Sequence, residues 1–410
     1  MAFLGDDELV FFMSKGRRRH IMGTKRVALV AAGMTKWGKR EATFRDLIAE
    51  AGKATFDSNQ NISPKDVKAF IISTVYPERS AFQGHPAPLA AEWCGVRPTE
   101  FHERVENQCG SGTSAIRTAY AAILSGLTDL VMIIGVEKVM VPSHQEIFLN
   151  SMGGGDREWE SCFGVTPPPL FAMVAQAHMN KYGTTEEQLA MVSVKNHNHS
   201  LKNPFAHHQK GATLEKVMTS RMIAAPLKLF DCSTNTDGAA GVIVASEERA
   251  KGLTDKPVYI LGTGQINDGY PWANYPKDWS SWPALKYAGE KAYQMAGITP
   301  KDVDLAEVHD CFTISEIMEY EELGFCEKGE GGKFVEEGQS DYGGQVVVNP
   351  SGGLIACGHP FGATGVRQAY EAFIQLRNEA GERQIEGAKI ALGHNLSGLG
   401  EHHILIYGRD

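Results

Sequence analysis

The chain has 410 residues, of which 42% are hydrophobic, and a formal net charge of −9. This ordinary globular composition excludes a disordered, collagen-like or disulfide-scaffold chain, and the acidic balance argues against a nucleic-acid-binding protein. No stretch approaches the roughly 18 consecutive apolar residues of a membrane-spanning helix, so we expect no membrane span. Seven cysteines without a CxxC pair favour reduced thiols and a cytoplasmic location.

The first residues differ from the rest of the chain. Residues 1–24 contain an acidic triplet, a short apolar run and then the basic cluster RRRH. A secretory signal has its basic residues first and a longer apolar run after them, so the order and the length exclude such a signal. We predict a solvated tail or a translation start at Met22, with binding to an anion or a membrane surface as the less favoured alternative. The ordered fold is expected to start with a buried strand at residues 25–32.

Two segments of the chain resemble each other at an offset of 250 residues. CGSGTSAIRTAYAAI at 109–123 aligns with HPFGATGVRQAYEAF at 359–373, and the motifs ISPKDV and ITPKDV precede an apolar run in each half. Two matches in the same order indicate one α/β unit that is used twice. Strand-like runs alternate with helical patterns in each half, which predicts helices packed in layers on sheets.

The predicted elements define four parts. Strand-like runs occur at residues 69–73, 130–136, 257–262, 305–308, 389–392 and 403–407. Helical spacing occurs at 111–124 and 170–181. Because a chain of this length exceeds the usual size of one core, we expect two core-forming halves. The predicted parts are a tail of unclear role (1–24), an N-terminal half (25–140), an inserted loop domain on the ligand side (141–254) and a C-terminal half (255–410).

Cys109 is the first candidate for chemistry. It lies in NQCGSG, a turn of small residues that follows a strand and directly precedes a helix. Unpaired N–H groups and the dipole of that helix stabilise a thiolate, so we expect a lowered pKa for the Cys109 thiol. A buried structural cysteine is an equally good interpretation of this motif alone.

The equivalent position in the second half is His359, within CGHPFG. A two-fold arrangement of the halves would bring a thiol and an imidazole to one centre, which is the geometry of an activated nucleophile. A loop histidine bonded to its own backbone is the alternative. Two further motifs end strands, HDCF at 309–312 and HNLSGLG at 394–400. Core packing is the alternative for Cys311 taken alone.

These four motifs in this order resemble those of thiolases, over residues 25–407. NQCGSG resembles the nucleophile motif and GHPFGATG the GHP-x-G-x-[ST]-G motif. HDCF and HNLSGLG stand where common thiolases have Asn-Glu-Ala-Phe and Cys-x-Gly, and this pair of replacements is typical of sterol-carrier-protein-type thiolases and their bacterial and archaeal relatives. Acetyl-CoA acetyltransferase-like proteins and a benzoylsuccinyl-CoA thiolase-like large subunit belong to this group. The resemblance implies the thiolase fold: two similar α/β halves in αβαβα layers with an inserted loop domain.

The resemblance also implies a role for each motif. Cys109 resembles the nucleophile that carries the acyl group as a thioester, and His359 resembles the base that activates it. Cys311 resembles the second acid/base, which exchanges a proton with the carbon α to the thioester or with the CoA thiol. His309 together with His359 resembles the oxyanion hole for the enolate oxygen. The backbone N–H groups of Cys109 and Gly398 resemble the hole for the acyl-enzyme.

The implied activity is that of an acyltransferase: reversible, CoA-dependent cleavage of a 3-oxoacyl-CoA, or the reverse Claisen condensation. No metal and no permanently bound cofactor is expected, since CoA is a substrate or product and the histidine-rich pieces lack a convincing ligand set. Ser233 resembles a serine near the pantetheine, and Arg221 is a candidate phosphate partner with a surface salt bridge as its alternative. The role of His394, which stands where common thiolases have a catalytic cysteine, stays open.

The expected partners are acyl-CoA substrates and further copies of the chain, as a homodimer or a dimer of dimers. Some relatives also use a small zinc-ribbon/OB-fold acyl-CoA-associated subunit. Two alternatives remain for the function. Another condensing enzyme of the superfamily would need a different set of partners beside the cysteine, and a non-catalytic acyl-CoA- or lipid-binding protein would not need Cys109, His359 and Cys311.

Aromatic residues are frequent in and after the insertion. They are candidates for the lining of a wide pocket for a branched or aryl substrate, although packing of loops and interfaces is slightly favoured. The residues are Trp159, Tyr270, Trp272, Tyr275, Trp279 and Trp282.

Overall fold

A computed structural model describes residues 26–140, 153–267, 278–398 and 400–409. The predicted tail and the aromatic residues Tyr270, Trp272 and Tyr275 lie outside the described residues. No helix in the described ranges combines the length and the apolar character that a membrane crossing requires.

The strands of the described residues form one large mixed sheet and a small hairpin. The order in the ten-stranded sheet is β10-β9-β11-β12-β8-β1-β7-β4-β2-β3, and β5 pairs with β6. The strands are β1 (Val27–Met34), β2 (Ala69–Ser73), β3 (Phe101–Val105), β4 (Leu130–Glu137), β5 (Met222–Ala224), β6 (Leu227–Lys228), β7 (Gly238–Ser246), β8 (Val258–Asn267), β9 (Leu305–Glu307), β10 (Val347–Val348), β11 (Ile390–Ser397) and β12 (Glu401–Gly408).

Helices cover the sheet and build the region between the halves. They are α1 (Phe44–Asp57), α2 (Pro77–Ser80), α3 (Pro86–Trp93), α4 (Ser111–Ser125), α5 (Pro167–Tyr182), α6 (Glu186–Ser200), α7 (Leu214–Met218), α8 (Glu247–Lys251), α9 (Pro283–Ala296), α10 (Thr313–Glu322), α11 (Gly331–Glu336) and α12 (Phe361–Leu376). A π-helical turn at Gly353–Cys357 precedes α12.

The sheet repeats one five-strand order on each side of its centre. β1 and β8, the first strand of each half, meet in the middle through two antiparallel pairs of residues. β7, β4, β2 and β3 follow on one side, and β12, β11, β9 and β10 follow on the other. This arrangement confirms the predicted α/β class and the two similar halves.

Alternating residues of the strands pack into different cores, as the period of a β-strand requires. Val131 and Ile133 of β4 pack with α4 and α12, whereas Met132 and Ile134 pack with α1 and α3. In the second half, α9 lies against β8 and β12, and α12 lies against β11. Because α12 contacts β4 in the first half and β11 in the second, α12 and its neighbour α4 lie between the two five-strand parts of the sheet. The helices on the outer faces, α1 and α3 on one side and α9 on the other, complete the predicted αβαβα order.

The predicted insertion also supplies a strand to the main sheet. β7 pairs along its length with β1 and β4. Its sequence GAAGVIVAS begins with small residues, and the sequence analysis did not predict it. The boundaries of the four predicted parts stay a prediction.

Candidate active site

The predicted catalytic residues line one cavity of about 380 Å³. It brings together the motifs of both halves and the start of α5. The predicted residues in its wall are Cys109, Ser233, His309, Cys311, His359 and Gly398. The remainder of the wall is mainly apolar, with ring contributions from Phe171, Phe312 and Phe361. A mainly apolar cavity with a few convergent polar groups is the usual form of a small-molecule site.

The turn that carries Cys109 is held by residues of both halves. Gln108 adopts a left-handed conformation with φ 47°, and its Oε1 accepts a hydrogen bond of 2.8 Å from the hydroxyl of Tyr76. The N–H of Gly110 donates to Oγ of Ser397 at 2.9 Å, and that hydroxyl donates to the carbonyl of Asn107 at 2.6 Å. The backbone on both sides of Cys109 is therefore fixed, and this positions its thiol.

Cys109 differs from the expected thiolate. The residue is half-buried, and loss of hydration is the main effect that raises the pKa of its thiol to about 12. The carboxylates of Glu137 and Glu106 raise the pKa further, while a hydrogen bond from the residue's own N–H lowers it. The prediction of a lowered pKa was wrong, because burial and two negative charges outweigh the helix N-terminus.

His359 lies beside this thiol. Its Nε2 is 3.1 Å from Sγ of Cys109, and its Nδ1 is 2.8 Å from Oγ1 of Thr364. Burial holds the pKa of His359 well below the usual range, so the imidazole is neutral. With Nδ1–H donated to Thr364, the lone pair on Nε2 faces the thiol. A neutral thiol and a neutral base in hydrogen-bond contact are arranged for proton transfer when a substrate arrives.

His309 is held by a chain of amides. The carbonyl of His394 accepts a hydrogen bond of 2.8 Å from Nε2 of Gln368, and Oε1 of Gln368 accepts from Nδ2 of Asn395. Oδ1 of Asn395 lies 3.1 Å from Nδ1 of His309. Because a backbone carbonyl can only accept, the chain runs in one direction and Nδ1 of His309 is the donor.

This tautomer constrains the predicted role of His309. Burial lowers the pKa of the ring to about 3, so the ring is neutral and its single proton is on Nδ1. His309 lines the cavity, and its Nε2 then offers a lone pair there. Donation from Nε2 to an enolate oxygen would need a second proton on this ring.

Cys311 supplies a second thiol to the cavity. Its Sγ is 3.6 Å from Oγ of Ser315, and its carbonyl accepts a hydrogen bond of 2.8 Å from the N–H of Ser233. Burial raises the pKa of the thiol well above its usual value, so the thiol is protonated at neutral pH. The same backbone contact places Ser233 at the cavity wall.

The sequence analysis missed Glu137, a buried carboxylate at the end of β4. It accepts hydrogen bonds from the N–H groups of Val75 (2.9 Å), Tyr76 (3.0 Å) and Gly362 (3.1 Å). Burial raises the pKa of Glu137 to about 7 despite these bonds. Gly362 is the second residue of α12, so this carboxylate connects the N-terminal half to the helix that follows His359. No motif surrounds Glu137 in the sequence that would have marked it.

Asp310 of the HDCF motif positions the segment before His359. Its carboxylate accepts from the N–H of Leu354 at 2.6 Å, from the N–H of Ile355 at 3.2 Å and from Nδ2 of Asn196 at 2.8 Å. Burial, with Glu316 nearby, raises the pKa of Asp310 to about 7. In the sequence, the position of Asp310 between two candidate site residues, His309 and Cys311, was the signal that could have identified it as part of the site.

Two other predicted residues lie away from the cavity wall. Arg221 is exposed directly before β5 and does not line the cavity. His394 is fully buried, with Nε2 3.1 Å from Nδ1 of His402 and Nδ1 3.1 Å from Oε1 of Glu319. The backbone carbonyl of His394, rather than its ring, is connected to the site, because it accepts the hydrogen bond from Gln368 that begins the chain to His309.

The described tryptophans of the aromatic set do not line the cavity. Trp282 is fully buried and meets Phe171 edge to face at 6.4 Å, and Trp279 packs against the same core. Trp159 is 71% exposed. The positions of Trp279 and Trp282 agree with the packing interpretation, whereas Trp159 is exposed and does not line the cavity either.

Comparisons with known proteins cover both halves of the chain. The family model "Thiolase, N-terminal domain" matches residues 27–248, and "Thiolase C-terminal domain-like" matches residues 273–409. The acetyl-CoA acetyltransferase of Methanothermobacter thermautotrophicus is 44% identical over 377 residues, covering 91% of this chain and 97% of the relative. Benzoylsuccinyl-CoA thiolase subunit BbsB of Thauera aromatica is 34% identical over 378 residues, covering 91% and 95%.

Solved structures show the same fold. The Ltp2-ChsH2(DUF35) aldolase aligns with a TM-score of 0.80 at 26% identity, covering 94% of this chain and 98% of that one. Human mitochondrial 3-ketoacyl-CoA thiolase in complex with CoA aligns with a TM-score of 0.72 at 20% identity, covering 94% and 98%.

Proposed function

The chain belongs to the thiolase family and is a CoA-dependent acyltransferase, and we propose that it cleaves a 3-oxoacyl-CoA, or makes one by the reverse Claisen condensation, with Cys109 as nucleophile. The observation that carries this assignment is the 3.1 Å contact between Sγ of Cys109 and Nε2 of His359, in a cavity that also contains the thiol of Cys311.

In the first half-reaction, His359 takes the proton of Cys109 and the thiolate attacks the 3-oxo carbonyl carbon. The bond between the α carbon and that carbonyl carbon breaks, and its electron pair goes to the departing acetyl-CoA enolate. Cys311 gives its proton to the α carbon. The acyl group then remains on Cys109 as a thioester, which divides one difficult reaction into two easier ones.

In the second half-reaction, the thiolate of Cys311 takes the proton of an incoming CoA thiol. The CoA sulfur attacks the thioester, and Cys109 leaves as a thiolate that recovers its proton from His359. The sum of both steps is 3-oxoacyl-CoA plus CoA giving acetyl-CoA plus the shortened acyl-CoA. Each residue returns to its starting protonation state, so the same site also runs the condensation.

Both steps place negative charge on a carbonyl oxygen. The backbone N–H groups of Cys109 and Gly398 are the proposed donors in the acyl-transfer step, where one such donor is typically worth about 10²–10³ in rate. His359, once protonated on Nε2, is the proposed donor to the enolate oxygen. His309 can donate a second hydrogen bond to the enolate oxygen only in a form that carries a proton on Nε2.

The cavity of about 380 Å³ is assigned to the acyl group and the thiol end of CoA. Ser233, which lines it, is the proposed contact for the pantetheine arm. The nucleotide end of CoA would then lie outside the cavity, where Arg221 is the proposed phosphate partner. CoA is a substrate in this scheme, and no step needs a permanently bound cofactor.

A small partner subunit is proposed to complete the site. Three large aromatic side chains of the described residues are strongly exposed: Phe82 (89%), Trp159 (71%) and Phe163 (76%). Exposed apolar side chains mark an interface where they lie together in one patch, and these three are the proposed contacts for the partner. The name of the aldolase with the similar fold contains a DUF35 component, and BbsB is named as a subunit.

A homodimer, alone or as part of a dimer of dimers, is the proposed assembly of the chain itself. β3 forms one edge of the sheet in the described residues and is half-exposed along most of its length. An unpaired strand edge of this kind is normally covered. A reducing, cytoplasmic compartment is proposed because all seven cysteines are free and two of them act as thiols.

Acetyl-CoA labelling followed by mass spectrometry tests the proposed function. We expect an acetyl group on Cys109 in the wild-type chain and in Cys162→Ser, which changes an exposed thiol outside the site. Cys109→Ala should take up none. Cys311→Ala should lose thiolysis of 3-oxoacyl-CoA substrates. Absence of any acyl-enzyme, with and without the candidate partner subunit, would overturn the assignment, and intact thiolysis in Cys311→Ala would remove Cys311 from its role.

A panel of 3-oxoacyl-CoA substrates addresses specificity. Acetoacetyl-CoA, longer straight chains and an aryl-substituted 3-oxoacyl-CoA should be compared by kcat/KM. We expect measurable thiolysis of at least one of them. Activity with none, combined with tight binding of acyl-CoA, would favour the alternative of a non-catalytic binding protein.

A further inference from the structure

We propose that Cys109, His309 and His359 also form a binding site for a soft divalent cation of the Zn²⁺ type, and that the bound cation reversibly blocks the acyltransferase. One ligand atom of each residue lies within 4.8 Å of the other two. The atoms are one sulfur and two imidazole nitrogens, a donor set that Zn²⁺ prefers.

The three ligand atoms would surround a tetrahedral ion after a limited shift of their side chains. Zn–S bonds of about 2.3 Å and Zn–N bonds of about 2.0–2.1 Å place neighbouring ligand atoms roughly 3.3–3.7 Å apart. Sγ of Cys109 and Nε2 of His359 are already 3.1 Å apart. The third atom must move inward by up to about 1.5 Å, and the Cys109–His359 pair must open by a few tenths of an ångström.

The orientation of both rings is an independent observation that points to a cation. Nδ1 of His309 is held by Oδ1 of Asn395, and Nδ1 of His359 is beside Oγ1 of Thr364. Both Nε2 lone pairs are therefore directed away from these oxygens. Metal-ligating histidines have this arrangement, in which the other ring N–H donates to an oxygen that fixes the tautomer.

Coordination changes the protonation of one of the three ligands. Cys109 must lose its proton: the thiol and the free ion become a zinc thiolate and one released proton.

Binding at this site removes the nucleophile and its base together. The sulfur is coordinated and Nε2 of His359 no longer accepts a proton. A fourth position is left for water or an incoming thiol. A chelator in solution competes with the protein for the ion, so the inhibition is expected to be reversed by chelation.

Co²⁺ serves as the spectroscopic probe, because its binding to a thiolate is read without any enzyme turnover. The chelator-treated full chain should bind one Co²⁺ with a sulfur-to-cobalt charge-transfer band, which Zn²⁺ displaces. Apparent affinity should rise about tenfold per pH unit, since one proton is released. Zn²⁺ should block acetyl transfer to Cys109, and EDTA should restore it.

Variants locate the site. Cys109→Ser should abolish the charge-transfer band, and His309→Gln should weaken Co²⁺ binding at least tenfold. Thr364→Val, which leaves all three ligands in place, should weaken it by about ten- to a hundredfold through the orientation of His359. His208→Ala is the matched control, because His208 stacks on His207 at 4.6 Å and offers histidine nitrogens elsewhere.

The outcomes separate this proposal from the proposed function. A charge-transfer band that survives in Cys109→Ser, or that disappears in His208→Ala, would overturn the metal site. So would Co²⁺ affinity unchanged in both His309→Gln and Thr364→Val. Absence of acyl transfer in the metal-free wild-type chain, when that chain binds Co²⁺ as described, would instead count against the thiolase mechanism alone.

Discussion

Nε2 of His359 lies 3.1 Å from Sγ of Cys109, although 250 residues separate them in the chain. Each residue stands directly before a helix of the middle layer, Cys109 before α4 and His359 before α12. The two helices occupy equivalent places in the repeated α/β unit. The contact is therefore a product of the internal symmetry, which brings two helix N-termini, and two different side chains, to one point.

The first prediction concerns the pH dependence of Cys109. The pKa of Cys109 is raised to about 12 and the pKa of His359 is lowered. The thiol and the imidazole are therefore both neutral at pH 7, and they do not form a thiolate–imidazolium ion pair. The rate of alkylation by iodoacetamide should rise about tenfold per pH unit between pH 6 and 9. Mass spectrometry of the labelled peptide measures it. A plateau below pH 8 would show that an ion pair exists after all.

The second prediction concerns Glu137, whose carboxylate raises the pKa of Cys109. Glu137→Gln removes that charge, so alkylation of Cys109 should become severalfold faster at pH 8–9. The difference should shrink below pH 7, because Glu137 has a pKa of about 7 and is neutral there in the wild-type chain as well. Unfolding should become easier by about 1–3 kcal/mol, since an amide cannot accept all the bonds to the carboxylate.

Glu106→Gln is the control for this experiment. Glu106 also raises the pKa of Cys109, but it is exposed and water screens its charge. A smaller acceleration that disappears at high salt is expected. Equal effects of both substitutions would mean that the burial of Glu137 adds nothing to its influence on the thiol.

The third prediction tests the crossing of α4 and α12. A Cβ on Gly112 would lie 2.8 Å from the backbone nitrogen of Val366 and 2.9 Å from that of Gly365. Gly112→Ala must therefore push the helices apart, at a cost of about 1–3 kcal/mol. The melting temperature should fall, and kcat should fall at least tenfold because the Cys109–His359 contact opens.

Gly289→Ala is the matched control for Gly112→Ala. Gly289 is also buried and helical, but its Cβ would make ordinary contacts at 3.6 Å or more. Alanine favours a helix interior over glycine by up to about 1 kcal/mol, so stability should stay equal or rise and kcat should not change. A similar loss of activity in both variants would contradict the argument from the helix crossing.

The sequence predicted the parts of the site that depend on the repeat and on motifs. The offset of 250 residues already aligned Cys109 with His359, and the alternation of runs gave the layers. The sequence analysis did not predict β7, because this strand begins with small residues and lies within the long predicted insertion. Nor could it predict the pKa of Cys109, since burial and the charge of Glu137 exist only after folding.

The same limit applies to the tautomer of His309. Gln368 and Asn395 belong to different elements, α12 and β11, and only the fold places their amides in line with a backbone carbonyl. A motif identifies which residue type stands at a position. The direction of a hydrogen-bond chain depends on its last acceptor, which here is the carbonyl of His394.

The last prediction concerns the size of the acyl group. Phe171 stacks on Phe312 with ring centroids 4.5 Å apart, and both rings line the cavity. Phe171→Leu should widen the cavity and raise kcat/KM for aryl or longer 3-oxoacyl-CoA substrates relative to acetoacetyl-CoA by about tenfold, the scale of one added contact in an apolar pocket. Phe373→Leu, a buried change on α12 outside the cavity wall, should lower stability without changing that ratio. An unchanged ratio in Phe171→Leu would mean that the acyl chain leaves Cys109 in another direction.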